Sequence, residues 1–183
     1  MVHEFGHLLA ALLLRIPIRR IAVGLGPAIF SLSLGRGTQL EVRALPVSVA
    51  IGVPGRRAEN GENRRPLRHD LEMCLAGPLT NVALSLLILA LAILGWVPQG
   101  FYSWFAATAT LSTIVALLNL IPLPGLDGGH LLLLGLASMG MQWSPEGEAM
   151  LHRVGLRLGA AVCALLLLAQ YGNAALDWAA RLL

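Results

Sequence analysis

His3-Glu4-Phe5-Gly6-His7 stands directly before an apolar run in the sequence. If this stretch is helical, His3 and His7 are four residues apart and lie on the same face. Two imidazoles at this spacing can bind one zinc ion, and Glu4 is then placed to take a proton from a zinc-bound water. Zinc lowers the pKa of that water to about 7, so a nucleophile becomes available at neutral pH. The alternative is that two buried histidines and a glutamate have this spacing by chance.

The composition is that of a membrane protein. Of the 183 residues, 56% are hydrophobic and 13% are charged, and Asp127 is the only formal charge between Met73 and Pro145. A soluble fold of this size could not leave so long a stretch uncharged and still cover its surface. The length predicts one domain, and the composition predicts an integral membrane protein.

The basic residues argue for a membrane topology and against nucleic-acid binding. All 13 are arginines, and ten of them lie between Arg15 and Arg68, interleaved with apolar segments. Arginines crowded between spans mark that segment as cytoplasmic, whereas a nucleic-acid site would cluster them on one face. Cys74 and Cys163 lie far apart in apolar runs and are interpreted as small core residues.

The predicted fold class is a mainly α-helical, polytopic membrane protein with about four transmembrane helices and a small β-hairpin or sheet between the first two. We predict a single membrane-embedded domain, 1–183. Its segments in order are the HExxH helix at 1–15, a β region at 21–53, a cytoplasmic loop at 54–71, spans at 73–97 and 101–120, a loop and short helix at 121–141, and a span at 150–176. A spanning helix needs about 20 apolar residues, so the first helix is half a span: either the start is truncated, or the helix is short and shielded by its neighbours.

The β region is predicted from alternation of apolar and polar residues. Residues 28–34 and 38–44 alternate with period two, and the glycines at 35 and 37 indicate a hairpin turn between them. Residues 47–51 could form a further strand. Two roles remain open for this unit: a structural cover, or an exposed edge that pairs with an extended substrate.

A third metal ligand is expected after the third span. The prolines and glycines of residues 121–130 break the helix near membrane depth, where irregular backbone is tolerated if it is buried in protein or lines a wet cavity. Asp127 lies in this break and is the candidate ligand. His130 is the competitor, but the glycine pair between them favours Asp127.

Asn81 also lies inside a span and needs a partner, either across helices or in the active site.

Three motifs in order, HEFGH, AGPLTN and NLIPLPGLDGGH, resemble the site-2 protease family of intramembrane zinc metalloproteases. The tail most resembles the bacterial regulator-of-sigma-E protease branch. The resemblance implies helices that hold one zinc ion inside the bilayer and cleave a transmembrane segment of another protein. It implies His3, His7 and Asp127 as zinc ligands, Glu4 as the general base, and Asn119 as the residue that positions substrate or stabilises the oxyanion.

Two departures from that family pattern are visible. Residues 46–50 lack the glycine pair usual there, so substrate alignment is expected to differ. A few residues join the second and third spans, which leaves no counterpart of the PDZ domains of the sigma-E branch. The expected location is a bacterial inner or plasma membrane, with the arginine-rich loop cytoplasmic.

Two other functions are weighed against a protease: a catalytically inactive membrane scaffold of the same fold, and a metal or ion transporter. A transporter would be expected to show paired broken helices in two related halves, and the sequence has one break. Glu4 argues against both functions, because binding zinc requires ligands whereas hydrolysis also requires the carboxylate beside them.

Overall fold

A computed structural model describes residues 2–35, 37–54 and 65–141, and nine positions from 146 to 161. The chain is mainly helical, with one small sheet. In order the elements are α1 Val2–Leu13, β1 Arg20–Ser33, β2 Gln39–Gly52, α2 Leu67–Ile93, a short 3-10 turn Gln99–Phe101, α3 Tyr102–Asn119 and α4 Asp127–Ser138.

The sheet is mixed, because segments of its two long strands pair with each other in both the parallel and the antiparallel direction. Residues 28–33 of β1 run antiparallel to 39–43 of β2, as a hairpin requires. Residues 20–23 of β1 run parallel to 39–42 and antiparallel to 49–52. The segment predicted as a further strand at 47–51 is therefore the second half of β2, and it returns to pair with the start of β1. The sheet contacts α1 through β2.

Two helices, α2 and the stretch Gln99–Asn119 that contains α3, are long and apolar enough to cross a membrane. Large apolar side chains cover their outer faces and remain exposed, among them Leu87, Ile93 and Trp104. Exposed apolar surface of this extent is typical of helices that face lipid. At 12 residues, α1 is too short to span. The span predicted at 150–176 falls mostly outside the described residues.

Helix α2 begins at Leu67, six residues before the predicted span at 73–97, and Pro78 lies inside the helix. The polar start is stabilised by an ion pair. The Arg65 guanidinium donates from Nε and lies with Nη2 against Asp70 Oδ1, both at 2.6 Å. Asp70 is buried in the first turn, where the helix dipole favours a carboxylate. The helix therefore extends beyond its apolar part.

Small and polar residues hold the helices together. A Cβ at Gly6 of α1 would overlap the Ala76 carbonyl and the Thr80 side chain of α2, so the two helices approach closely at this glycine. Between α2 and α3, Ser85 Oγ donates to the Ala109 carbonyl at 2.9 Å. Such interhelical hydrogen bonds stabilise packing where water is absent.

Candidate metal centre

Helix α1 presents two imidazoles to the same point. His3 and His7 are each 9% exposed, and the i, i+4 spacing places them one turn apart on the buried face. Their rings meet edge to face, with centroids 4.8 Å apart and an interplanar angle of 83°. The two Nε2 atoms are 3.2 Å apart. The helix thus brings together two nitrogens that can both coordinate a metal.

The third member of the cluster is Asp127, the first residue of α4. Its Oδ2 lies 3.0 Å from His3 Nε2 and 3.3 Å from His7 Nε2. Two glycines allow this approach: a Cβ at Gly128 would overlap the Leu120 and Ile121 carbonyls, and one at Gly129 would overlap the Leu123 carbonyl. Residues without a Cβ therefore let α4 start directly beneath the preceding loop and direct its first carboxylate at the histidines.

The three donor atoms fit a metal ion by their spacing. Zinc–ligand distances of about 2.0–2.2 Å in a tetrahedron place neighbouring ligand atoms roughly 3.3–3.5 Å apart. The observed separations of 3.0, 3.2 and 3.3 Å are within a few tenths of an ångström of that edge. Three protein ligands also leave one tetrahedral corner for water or substrate, as catalytic zinc sites require. The residues present fit zinc.

The protonation pattern points to a cation as well. His7 Nδ1 donates to the Met73 carbonyl at 2.7 Å, so in the neutral ring Nε2 carries a lone pair. That lone pair faces the Asp127 carboxylate. Asp127 Oδ2 itself is buried and, although both imidazoles approach it, makes no hydrogen bond of good geometry. Lone pairs held this close repel one another unless a proton or a metal ion lies between them.

Glu4 lies beside the cluster in the first turn of α1. It is half-buried, and its carboxylate interacts electrostatically with His3, His7 and Asp127. As a carboxylate adjacent to the three residues that could hold a metal, it could exchange a proton with a water bound there.

One face of α2 contacts both histidines. The sequence predicted a partner for Asn81, across helices or in the active site, but not the contacts of Met73 and Gly77. Met73, Gly77 and Asn81 are spaced by four and lie on one stripe of the helix. The Met73 carbonyl accepts from His7, the Asn81 amide lies 3.4 Å from His3 Nδ1, and Gly77 lies between them. Since Pro78 lacks an N–H, backbone hydrogen bonding is interrupted in this turn. The signal for this contact lies in the AGPLTN motif, whose glycine leaves room for both imidazole rings.

The two other site candidates lie elsewhere. His130 is exposed on α4 and is not part of the group that could hold a metal among the described residues. Asn119 is the last residue of α3, and its Nδ2 donates to the Val115 carbonyl of its own helix at 2.9 Å. The structure therefore brings His3, His7, Asp127 and Glu4 together and leaves the amide of Asn119 bonded to its own backbone.

Gly77→Ala is expected to weaken zinc binding and any zinc-dependent activity by about 100-fold, the scale of a misplacement of about 1 Å. A Cβ at this position would overlap His7 Nε2 and would lie 2.7 Å from His3 Cε1, so both rings must move. The measurement is zinc affinity by chelator competition. The matched control is Gly135→Ala on α4, where a Cβ meets nothing within 4 Å. Unchanged affinity in Gly77→Ala would contradict the packing described here.

Comparison with known proteins places this chain in a family. The sequence profile of peptidase family M50 matches residues 1–98 and 95–162. Zinc metalloprotease RasP of Oceanobacillus iheyensis is 44% identical over 63 residues, which is 34% of this chain and 15% of that protein. A protein of Mycolicibacterium smegmatis with the provisional name zinc metalloprotease Rip2 is 36% identical over 90 residues, covering 46% of this chain and 35% of its own length.

A further relative, from Fusobacterium nucleatum and provisionally named zinc metalloprotease FN1322, is 29% identical over 92 residues, or 48% of this chain and 27% of that protein. The chain therefore aligns with about a third or less of the length of these relatives. The family profile covers most of the chain, and the resemblance seen in its three motifs is confirmed: this protein belongs to peptidase family M50, the site-2 protease family of membrane metalloproteases.

Proposed function

We propose that the protein is an intramembrane zinc metalloendopeptidase that hydrolyses peptide bonds in or near transmembrane segments of other membrane proteins. The observation that carries the proposal is the cluster of His3, His7 and Asp127, with donor atoms 3.0–3.3 Å apart and Glu4 beside them. The same donor set also suits non-haem iron. The carboxylate of Glu4 in the HExxH pattern and the names of the relatives favour hydrolysis by zinc.

His3, His7 and Asp127 would hold one zinc ion, which supplies a Lewis acid and lowers the pKa of water. Glu4 accepts a proton from the attacking water while the water oxygen forms a bond to the scissile carbonyl carbon. When the carbon–nitrogen bond breaks, the electron pair goes to nitrogen, and Glu4 returns the proton to that amine. The products are one carboxylate end and one amine end, and Glu4 is regenerated.

The proposed location is a bacterial inner or plasma membrane, with the arginine-rich segment cytoplasmic. Ten arginines between Arg15 and Arg68 and the two apolar helices support this orientation. Since β2 contacts α1, which carries the histidines, the sheet can serve as an edge against which an extended substrate segment aligns. The substrate class is a transmembrane protein whose segment unwinds locally at the site.

Asn119, the last residue of α3, is proposed to contact the substrate. A carboxamide there can donate to the carbonyl oxygen that becomes negatively charged during attack. Its Nδ2 donates one hydrogen to the Val115 carbonyl at 2.9 Å, and the second N–H of the amide is the donor proposed for the substrate oxygen.

Cleavage in proteoliposomes tests this function. The purified chain, reconstituted with a single-span substrate protein, is expected to yield products cut within or next to the span, as identified by mass spectrometry. Treatment with 1,10-phenanthroline is expected to stop cleavage, and added zinc is expected to restore it. Cleavage that persists without metal, or the absence of cleavage across a panel of single-span proteins with zinc bound, would contradict the proposal.

A further inference from the structure

Asn81 is a polar residue in an apolar helix. It is 3% exposed, in the middle of α2, a helix able to span a membrane. A buried amide without partners is costly in a low-dielectric environment, so such a residue is retained where its groups are used. Its side-chain amide lies 3.4 Å from His3 Nδ1.

Histidine ligands need a second partner on the opposite ring nitrogen. An imidazole that binds a metal through Nε2 carries its proton on Nδ1, and an acceptor there fixes the tautomer and the ring plane. His7 has this acceptor in the Met73 carbonyl, at 2.7 Å. For His3 the group in the corresponding place is the amide of Asn81.

The amide can act as that acceptor. The structure places Nδ2 nearest to His3, but amide oxygen and nitrogen exchange places by a half-turn of the side chain and are assigned from the hydrogen-bond network. With a proton on His3 Nδ1, the atom that satisfies the contact is Asn81 Oδ1. The half-turn keeps the amide in the same space and converts a poor contact into a hydrogen bond.

Neighbouring hydroxyl groups hold the backbone of this residue. The Asn81 carbonyl accepts from Ser85 Oγ on α2 and from the buried Ser112 Oγ on α3, both at 3.1 Å. These bonds use the main chain and leave the side-chain amide directed at His3. They fix α2 against α3 at the residue that contacts the histidine.

We propose that Asn81 is the positioning residue of His3, accepting the Nδ1 proton and thereby fixing the ring that coordinates the metal. The proposal rests on the zinc site proposed above. By this assignment, each histidine of the pair is oriented by a different kind of group on the same stripe of α2: a backbone carbonyl for His7 and a side-chain amide for His3.

The test compares Asn81→Leu, which has a similar size and no acceptor, with Asn81→Asp, which keeps the acceptor. Ser112→Ala is the control, since it loses a bond to the Asn81 backbone without touching His3. The readouts are zinc affinity by chelator competition and the visible absorption spectrum of the cobalt-substituted protein. Thermal unfolding of each variant shows that it is folded.

Asn81→Leu is expected to weaken zinc binding by about 10- to 100-fold and to alter the cobalt spectrum. Asn81→Asp is expected to restore both, and Ser112→Ala to keep the wild-type spectrum. Wild-type affinity and spectrum in Asn81→Leu would overturn the assignment, as would an Asn81→Asp protein as weak as Asn81→Leu. Failure of the proposed function is a separate result: a zinc-loaded wild-type protein that cleaves no substrate would contradict the protease function and leave the assignment of Asn81 standing. A wild-type protein that binds no zinc would overturn the assignment as well.

Discussion

Asp127→Ala is expected to leave the purified protein nearly free of zinc, with affinity reduced by more than about 100-fold, the upper range for loss of an outer-shell partner. Asp127 supplies the one anionic donor of the cluster, with Oδ2 at 3.0 and 3.3 Å from the two imidazoles. Two histidines on one helix can bind zinc alone, but without the carboxylate they lack both its charge and the third corner of the tetrahedron. The measurement is metal content per chain by mass spectrometry.

His130→Ala is the matched control for this variant. It removes a competing ligand type from the same helix, three residues further on, where the side chain is exposed. Zinc content is expected to remain near one per chain. If His130→Ala lost the metal and Asp127→Ala kept it, the ligand set would be wrong.

Glu4→Gln is expected to abolish hydrolysis while zinc stays bound. Glutamine keeps the size and hydrogen-bonding capacity of the side chain but cannot accept the proton of water. General base catalysis contributes about 10²- to 10⁴-fold, and the cleavage rate should fall by that factor. Because the proposed metal ligands are His3, His7 and Asp127, zinc content should be unchanged. Initial cleavage rates and metal content, measured on the same preparation, provide the test.

Glu72→Gln serves as the control, since Glu72 is an exposed carboxylate on α2. It is expected to cleave at the wild-type rate. The Glu4 result also separates the classes of function, because a scaffold would still bind its partners and a transporter would still move its ion after this change. Cleavage by Glu4→Gln at an undiminished rate would show that another group is the base.

The clustering of His3, His7 and Asp127 could be predicted from the sequence because its signal is local. The spacing of four residues from His3 to His7 fixes a shared helix face, and a lone carboxylate in an otherwise uncharged region has few roles other than a functional one. The choice of Asp127 over His130 depended on the glycine pair, and the structure gives the reason: the carbonyls of Leu120, Ile121 and Leu123 occupy the space that side chains would need.

The contacts of Met73 and Gly77 on α2 with the two histidines could not be predicted, because they depend on how the helices pack. That Gly77 contacts both imidazoles follows from the antiparallel approach of α1 and α2, which brings His7 to Met73 and His3 to Asn81. The early start of α2 has another cause. A hydropathy pattern marks the apolar part of a helix, and the Arg65–Asp70 ion pair lies before it. The pairing of residues 20–23 with both 39–42 and 49–52 could not be predicted either, because these segments are far apart in the chain.

Zinc K-edge X-ray absorption of the wild-type chain tests the metal centre most directly. We expect about one zinc per chain, coordinated by two imidazole nitrogens and by oxygen at about 2.0–2.2 Å, with no sulfur shell near about 2.3 Å. In Asp127→Ala that signal should be lost with the metal. A protein that takes up no zinc after reconstitution, or a zinc ion bound by the sulfur of a cysteine, would contradict the proposed metal site.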